Sequence, residues 1–330
     1  MTTASSTAST RRLSLLLNVF GPFLVLAFVI LLFLCLLDSE SRGAFLSAAT
    51  FKTVLTQTVI VAIGALGMTM IIVSGGIDLS VGSVVALAGV LGAVLIQNSF
   101  HLAAVVLATL ATGVAVGFIN GALIAGLRMT PFIVTLGMLG IARGSAEWLA
   151  QDQTVNFPES AIAKIMADPD PFGTMPPPGV WIAIALAVLM TVVMRQSVFG
   201  RYIFAIGSNE ATARLCGIRT RLVKLGIYSF AGVFFGLAGL MQLSRLHQGD
   251  PTAAAGVELD MIAAVVIGGA SLSGGTGSIL GSMIGALTMA VLRTGSQYMD
   301  WPNHTQKIII GVVIILAVGL DQLRQSRGRS

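Results

Sequence analysis

The stretch that decides the fold runs from Leu79 to Leu127, LSVGSVVALAGVLGAVLIQNSFHLAAVVLATLATGVAVGFINGALIAGL, 49 residues without Asp, Glu, Lys or Arg. A water-soluble core does not need so long an uncharged run. A spanning helix needs about 20 apolar residues, and a charge at mid-bilayer costs roughly 2.5–3.5 kcal/mol on insertion scales. The stretch therefore reads as two membrane spans joined by a short turn.

Working outward, shorter charge-free runs occupy 13–37, 53–77, 171–194, 225–244 and 261–292. Across all 330 residues, 55% are hydrophobic and 10% charged, against roughly 25% charged in a soluble domain, and mean hydropathy is +0.91. This excludes a disordered chain, a nucleic-acid-binding domain and an ordinary soluble enzyme. The basic balance, 19 Lys and Arg against 14 Asp and Glu, reads as membrane topology.

The expected fold is all-α, a polytopic membrane bundle of about ten helices at 13–37, 53–73, 81–97, 102–126, 130–149, 179–194, 222–244, 260–272, 276–294 and 305–323. Leu13 to Leu37 is too long for a signal-peptide core, and Asp38 to Arg42 is no small-residue cleavage site, so the first run reads as a retained span. Residues 1–12 and 324–330 read as cytoplasmic tails around one transmembrane domain, 13–323. With both termini inside, 12 of the 19 basic residues fall on the cytoplasmic side, as the positive-inside rule requires. Among them are Arg128, Arg195, Arg201, Arg214, Arg219, Arg221 and Lys224. Trp148, Trp181 and Trp301 then sit at the outer interface. The outer loop 150–178 carries Asp152, Glu159, Asp168 and Asp170. It reads either as a solvated, proline-stiffened connector or as a docking surface for an outside partner.

Gly75-Gly-Ile-Asp-Leu-Ser-Val-Gly-Ser83 recurs as Gly268-Gly-Ala-Ser-Leu-Ser-Gly-Gly-Thr276. Paired glycines break or turn a helix, and Asp78 with Ser80, or Ser271 with Ser273, can cap the helix that follows. Gly-interrupted segments repeated in two halves point to a transport pathway, which makes Gly75, Gly76, Asp78, Ser80, Gly268, Gly269, Ser271 and Ser273 its candidates. The plainer alternative is a pair of surface turns. Both copies have the same orientation on this span count, and an inverted repeat requires a miscounted span, with the short eighth segment as the first suspect. Glycines recurring every four residues at 113, 117 and 121, at 232 and 236, and at 277, 281 and 285 predict close helix packing.

The basic loop 195–221 contains Ser208-Asn-Glu-Ala-Thr-Ala-Arg-Leu-Cys-Gly217. It reads as a short helix with Asn209 as N-cap, Glu210 at its positive end, Arg214 at its negative end and Gly217 as its stop. Such a helix suits docking into a cytosolic motor or, more plainly, a linking turn.

Catalytic chemistry is missing. No Gly-Lys dipeptide exists for a P-loop, and His101, His247 and His304 have no metal spacing. No catalytic residue, metal site or cofactor is expected in the chain. Cys35 and Cys216 form no disulfide framework. Asp78, Arg143 and Glu147 are the only ionisable candidates for a pathway, and all three can sit near span ends.

These phrases, with Glu258 to Gly277, Gly200 to Ala211 and Thr130 to Gly137, resemble the ribose-type permease subunits of bacterial ABC sugar importers. The resemblance spans roughly residues 50–320. It implies a homodimeric permease of the bacterial inner membrane. Its partners are a cytosolic ATP-binding subunit, which carries the ATP and magnesium, and a periplasmic sugar-binding protein. On this reading Asn209, Glu210, Ala211, Arg214 and Gly217 form the coupling helix, and the cargo is a monosaccharide, ribose-like or another sugar or polyol. The alternatives are the same fold serving a non-sugar solute, and a self-sufficient secondary carrier or channel.

Overall fold

A helix that is apolar on every face belongs in the middle of a bundle, and the second span is one. In the computed structural model, which describes residues 4–167, 169 and 175–328, it forms α3 (Ala48–Val73), buried at every residue from Thr58 to Val73. Each of the ten predicted segments is a helix. They are α1 (Ala4–Leu36), α3, α4 (Val81–Gln97), α5 (Leu102–Gly126), α6 (Pro131–Ala150), α7 (Pro178–Gln196), α10 (Thr220–Leu246), α11 (Val257–Ile267), α12 (Ile279–Tyr298) and α13 (Asn303–Gly328). Three short helices stand between them: α2 (Ser39–Phe45), α8 (Val198–Ser208) and α9 (Glu210–Leu215). The first and last helices run into the stretches read as tails. Asp168 and Asp170 of the outer loop, and Arg329, lie outside the described residues.

Among the described residues α3, α5, α7, α10 and α12 are long and apolar enough to cross a membrane by themselves. The eighth segment is not. With 11 residues, α11 rises about 16 Å, half of a hydrocarbon core near 30 Å. It is a half-span, preceded by a helix-free stretch at 247–256.

The glycine stripes are packing within the chain. Gly113 of α5 lies backbone-to-backbone against Gly232 and Gly236 of α10, Gly117 against Tyr228, and Gly121 against Leu225. Gly281 and Gly285 of α12 lie in the same way against Gly268 and Ala264 beside α11. A side chain at any of these positions forces the helices apart.

The packing also reveals an inversion. The two central helices, α3 and α10, run in opposite directions against each other. α4 and α5 pack on α10, while α11 and α12 pack on α3. The unit α3–α4–α5 thus has α10–α11–α12 as its counterpart, run in the opposite sense. The Gly-Gly sequence repeat marks two helix stops at the same end of the bundle, and the inverted units are a separate feature.

That end carries Arg128, Arg214, Arg221 and Lys224 around the α5–α6 junction and is called the basic end below. Trp148 and Trp181 are exposed toward the opposite end, where Trp301 packs against Phe33 of α1. There β1 (Val155–Asn156) pairs antiparallel with β2 (Gln248–Gly249). Ile162 is fully buried, and Met166 donates its N–H to the Ser244 hydroxyl at 2.9 Å. The first part of the outer loop is therefore stitched to the end of α10 rather than left as a free connector.

Candidate functional site

A helix that stops inside the membrane leaves N–H and C=O groups that need partners within the protein. The chain breaks between α3 and α4 and between α10 and α11, and in both places the free groups are met by the protein.

At the first break Gly75 takes φ +83°, and the N–H groups of Gly75 and Gly76 reach back to Ile72 and Ile71 at 2.9 Å each. Asp78 then closes a turn. Its Oδ1 accepts the Ser80 N–H at 2.8 Å and the Ser80 hydroxyl at 2.6 Å. The Asn120 amide, from α5, donates to Asp78 Oδ2 at 3.3 Å and to Ser80 Oγ at 3.1 Å. Asp78, Ser80 and Asn120 are all buried.

The second break repeats the turn with different letters. Asp250 Oδ1 accepts the Thr252 N–H at 2.8 Å and its hydroxyl at 2.7 Å. Arg143 of α6 donates to the carbonyls of Pro251 and Ala253. Arg143 lies in the C-terminal half of α6, held by carbonyls of the loop that follows β2, which have no helix to bond. Glu258 Oε1 accepts the Gly256 N–H at 3.2 Å, and its Oε2 lies against Gly82 in the first turn of α4. Helices α4 and α11 therefore begin beside each other.

Among the described residues, four buried polar atoms around this crossing have no hydrogen-bond partner: Ser83 Oγ, Asn120 Oδ1, the Tyr228 hydroxyl and Glu258 Oε2. They come from α4, α5, α10 and α11. The Tyr228 hydroxyl lies over Gly76, 2.5 Å from where a Cβ would stand. An unmet buried polar group costs about 1–3 kcal/mol. Hydroxyl, amide and carboxylate groups gathered in an apolar bundle suit a solute that carries hydroxyls.

The predicted pathway residues form two helix stops that lie against each other. Gly75 and Gly76 lead into Asp78 and Ser80 at the crossing. Gly268, Gly269, Ser271 and Ser273 form the second stop, where Gly274 stands against Gly75 and the Gly275 N–H donates to the Val73 carbonyl at 2.8 Å. The stop itself recurs: Gly269 and Ala270 bond back to Val266 and Val265 as Gly75 and Gly76 do to Ile72 and Ile71. The Ser271 hydroxyl accepts the Ser273 N–H at 3.2 Å, but neither serine caps the following helix. Ser278 does, accepting the Gly281 N–H at 3.0 Å, because the chain first runs through Gly274, Gly275 and Gly277 at positive φ.

The loop helix forms as its sequence dictates. Asn209 Oδ1 accepts the Thr212 N–H at 2.9 Å, and Gly217, at φ +84°, donates its N–H to Arg214 O at 3.1 Å. Glu210 bonds Arg214 at 3.0 Å and Lys224 at 2.6 Å. Partial burial pushes its carboxyl up, but the bonds and charges of Lys224 and Arg214 outweigh this and hold it below the ordinary value of 4.5. Ala211 and the tip residue Leu215 are exposed. Helix α8, for which the sequence reading gave no helix, ties this element to the bundle. A Cβ on its Gly207 overlaps the Val73 carbonyl and stands 2.6 Å from the Gly275 nitrogen. Gly207 thus rests on both helix stops at once.

Sequence reasoning missed Asn120, Tyr228, Asp250 and Glu258. Asn120 carried a usable signal as the one amide within the predicted span 102–126. Asp250-Pro-Thr252 matches Asp78-Leu-Ser80 only once the inversion is known.

Residues 50–318 match the family described as branched-chain amino acid transport system, permease component. The ribose import permease protein of Escherichia coli strain K12 is 38% identical over 300 residues, covering 90% of this chain and 93% of that one. The fructose import permease protein of Rhizobium meliloti is 34% identical, covering 91% and 84%. The galactose/methyl galactoside import permease protein of Escherichia coli strain K12 is 33% identical, covering 91% and 94%. No solved structure matches.

Proposed function

The chain belongs to the branched-chain amino acid transport system permease family, and we propose that it is the membrane-spanning permease subunit of an ATP-driven importer for a monosaccharide. It is a multi-pass membrane protein and a transport subunit rather than an enzyme. The sugar cargo is supported by relatives named for ribose, fructose and galactose import, and by hydroxyl, amide and carboxylate groups, unpartnered among the described residues, where α4 and α11 begin beside each other. That crossing is the observation that carries the pathway assignment.

The partners follow from the same reading. A cytosolic ATP-binding subunit takes the exposed tip of α9, and a solute-binding protein meets the opposite end, periplasmic if the host membrane is the bacterial inner one. A second copy of the permease completes the pathway. When the ATP-binding subunits close, α9 moves and α8 carries the motion through Gly207 to the ends of α3 and α11. Only contacts that differ between the inward and outward states drive the switch. The solute within the sugar class is set largely by the binding protein.

The test is co-purification from mild detergent followed by an ATPase assay. An ATP-binding subunit that co-purifies, and whose ATPase rises with binding protein loaded with one sugar of a panel, is the expected result. Uptake by the chain alone in ATP-free liposomes overturns the reading in favour of a secondary carrier. Stimulation by a branched-chain amino acid and by no sugar moves the cargo to the class in the family's description.

A further inference from the structure

The turn Leu127–Thr130, the helix α9 and the start of α10 enclose a cavity at the basic end. Arg128, Arg214, Arg221 and Lys224 line it with a single carboxylate, Glu210. Glu210 is bonded to Arg214 and Lys224. Arg128 and Arg221 have no hydrogen-bond or ion-pair partner among the described residues. The four cations and one carboxylate leave an excess of three positive charges, so the cavity is built for an anion.

Its surroundings say which anion. Leu127, Phe132 and Ile133 are exposed where α5 passes into α6, on the stretch that enters the bilayer. Charge and exposed apolar side chains thus stand directly beside each other at the end of a spanning helix. A soluble anion has no use for that apolar rim. An acidic partner protein meets the tip of α9 first, where Leu215 is 88% exposed.

We propose that this cavity binds the phosphate headgroup of an anionic phospholipid. Arg128 and Arg221 supply its guanidinium contacts, and the acyl chains lie along Leu127, Phe132 and Ile133. Guanidinium pairs bidentately with phosphate oxygens, and basic pockets between helices at the membrane surface hold lipid headgroups. The assignment does not depend on the cargo.

The full chain, purified in mild detergent with equal phosphatidylglycerol and phosphatidylethanolamine, is read by native mass spectrometry for retained lipid. The wild type is expected to retain phosphatidylglycerol preferentially. The double variant Arg128→Gln, Arg221→Gln is expected to lose roughly thirtyfold in retention, the double Lys variant less, and Arg195→Gln, elsewhere at the same end, nothing. Equal retention by the Gln double variant and the wild type overturns the proposal. So does displacement of the lipid by glycerol phosphate at matched concentration, which makes the site one for a free phosphate. Unchanged lipid retention with loss of the ATP-binding subunit also overturns it and gives the face to an acidic protein surface.

Discussion

The two breaks solve one problem with different residues. Between α3 and α4 the turn Asp78-Leu-Ser80 is buried and locked by Asn120. Between α10 and α11 the same turn, Asp250-Pro-Thr252, is bonded alike but is not buried, and its carbonyls are met by Arg143. Both turns close on their own aspartate. The buried one adds a neutral amide donor from α5, and the other a charged donor from α6. The inverted packing of the helices fixes where each break lies, while burial decides which chemistry holds it.

The largest expected effect is at the donor. Arg143→Ala leaves the carbonyls of Pro251 and Ala253 without their partner and should cost about 2–5 kcal/mol, read as a fall in thermal stability in detergent, with Arg143→Lys recovering part. Wild-type stability in the Ala variant breaks the comparison.

Next come the two aspartates. Asp78→Ala should cost about 2–3 kcal/mol and Asp250→Ala within about 1 kcal/mol, because water replaces an exposed bond and not a buried one. Asp78→Asn keeps an acceptor and should retain most of the stability and transport. Complete loss of transport in a well-folded Asp78→Asn protein points instead to a titrating group, as a secondary carrier requires.

Tyr228→Phe removes a buried hydroxyl that has no partner among the described residues, so stability should change by less than about 1 kcal/mol. Sugar uptake should fall several-fold if that hydroxyl meets the solute. Unchanged uptake removes Tyr228 from the pathway.

The smallest effect is one of pH, away from both breaks. The ion pairs of Glu210 contribute fully above its ordinary value of 4.5 and are lost only as the pH falls through the lower folded value. Sugar-stimulated ATPase should owe no change to Glu210 between about pH 6 and about pH 8. Matching profiles for wild type and Glu210→Gln across that range, diverging below it, would be a correspondence in the wrong direction, since Gln lacks the charge throughout. The expected pattern is a Gln variant that is weaker at neutral pH and converges with the wild type in acid.

Much of this was legible in the chain because membrane burial forbids charge. The ten helices follow from uncharged runs, and α9 follows from Asn209 and Gly217, whose roles are local. The half-span α11 was visible only as a short segment, since Glu258 and Asp260 make its start look like an interface. The pairing of Asp78 with Asp250 was not legible. It is a product of tertiary inversion, and the Gly-Gly phrase drew attention to residue 268 instead. Gly207 was equally silent, because its importance lies in what its missing Cβ touches.

The most direct measurement is sugar-stimulated ATPase in the assembled importer carrying Gly207→Ala, beside Gly137→Ala, whose Cβ would meet nothing within 4 Å. Gly207 is the contact through which α8 and α9 bear on the two helix stops. The expected result is a Gly207→Ala permease that still binds the ATP-binding subunit yet loses sugar stimulation and uptake, with Gly137→Ala unaffected. A Gly207→Ala permease that assembles, responds to sugar and transports like the wild type contradicts the proposed link between motor and pathway.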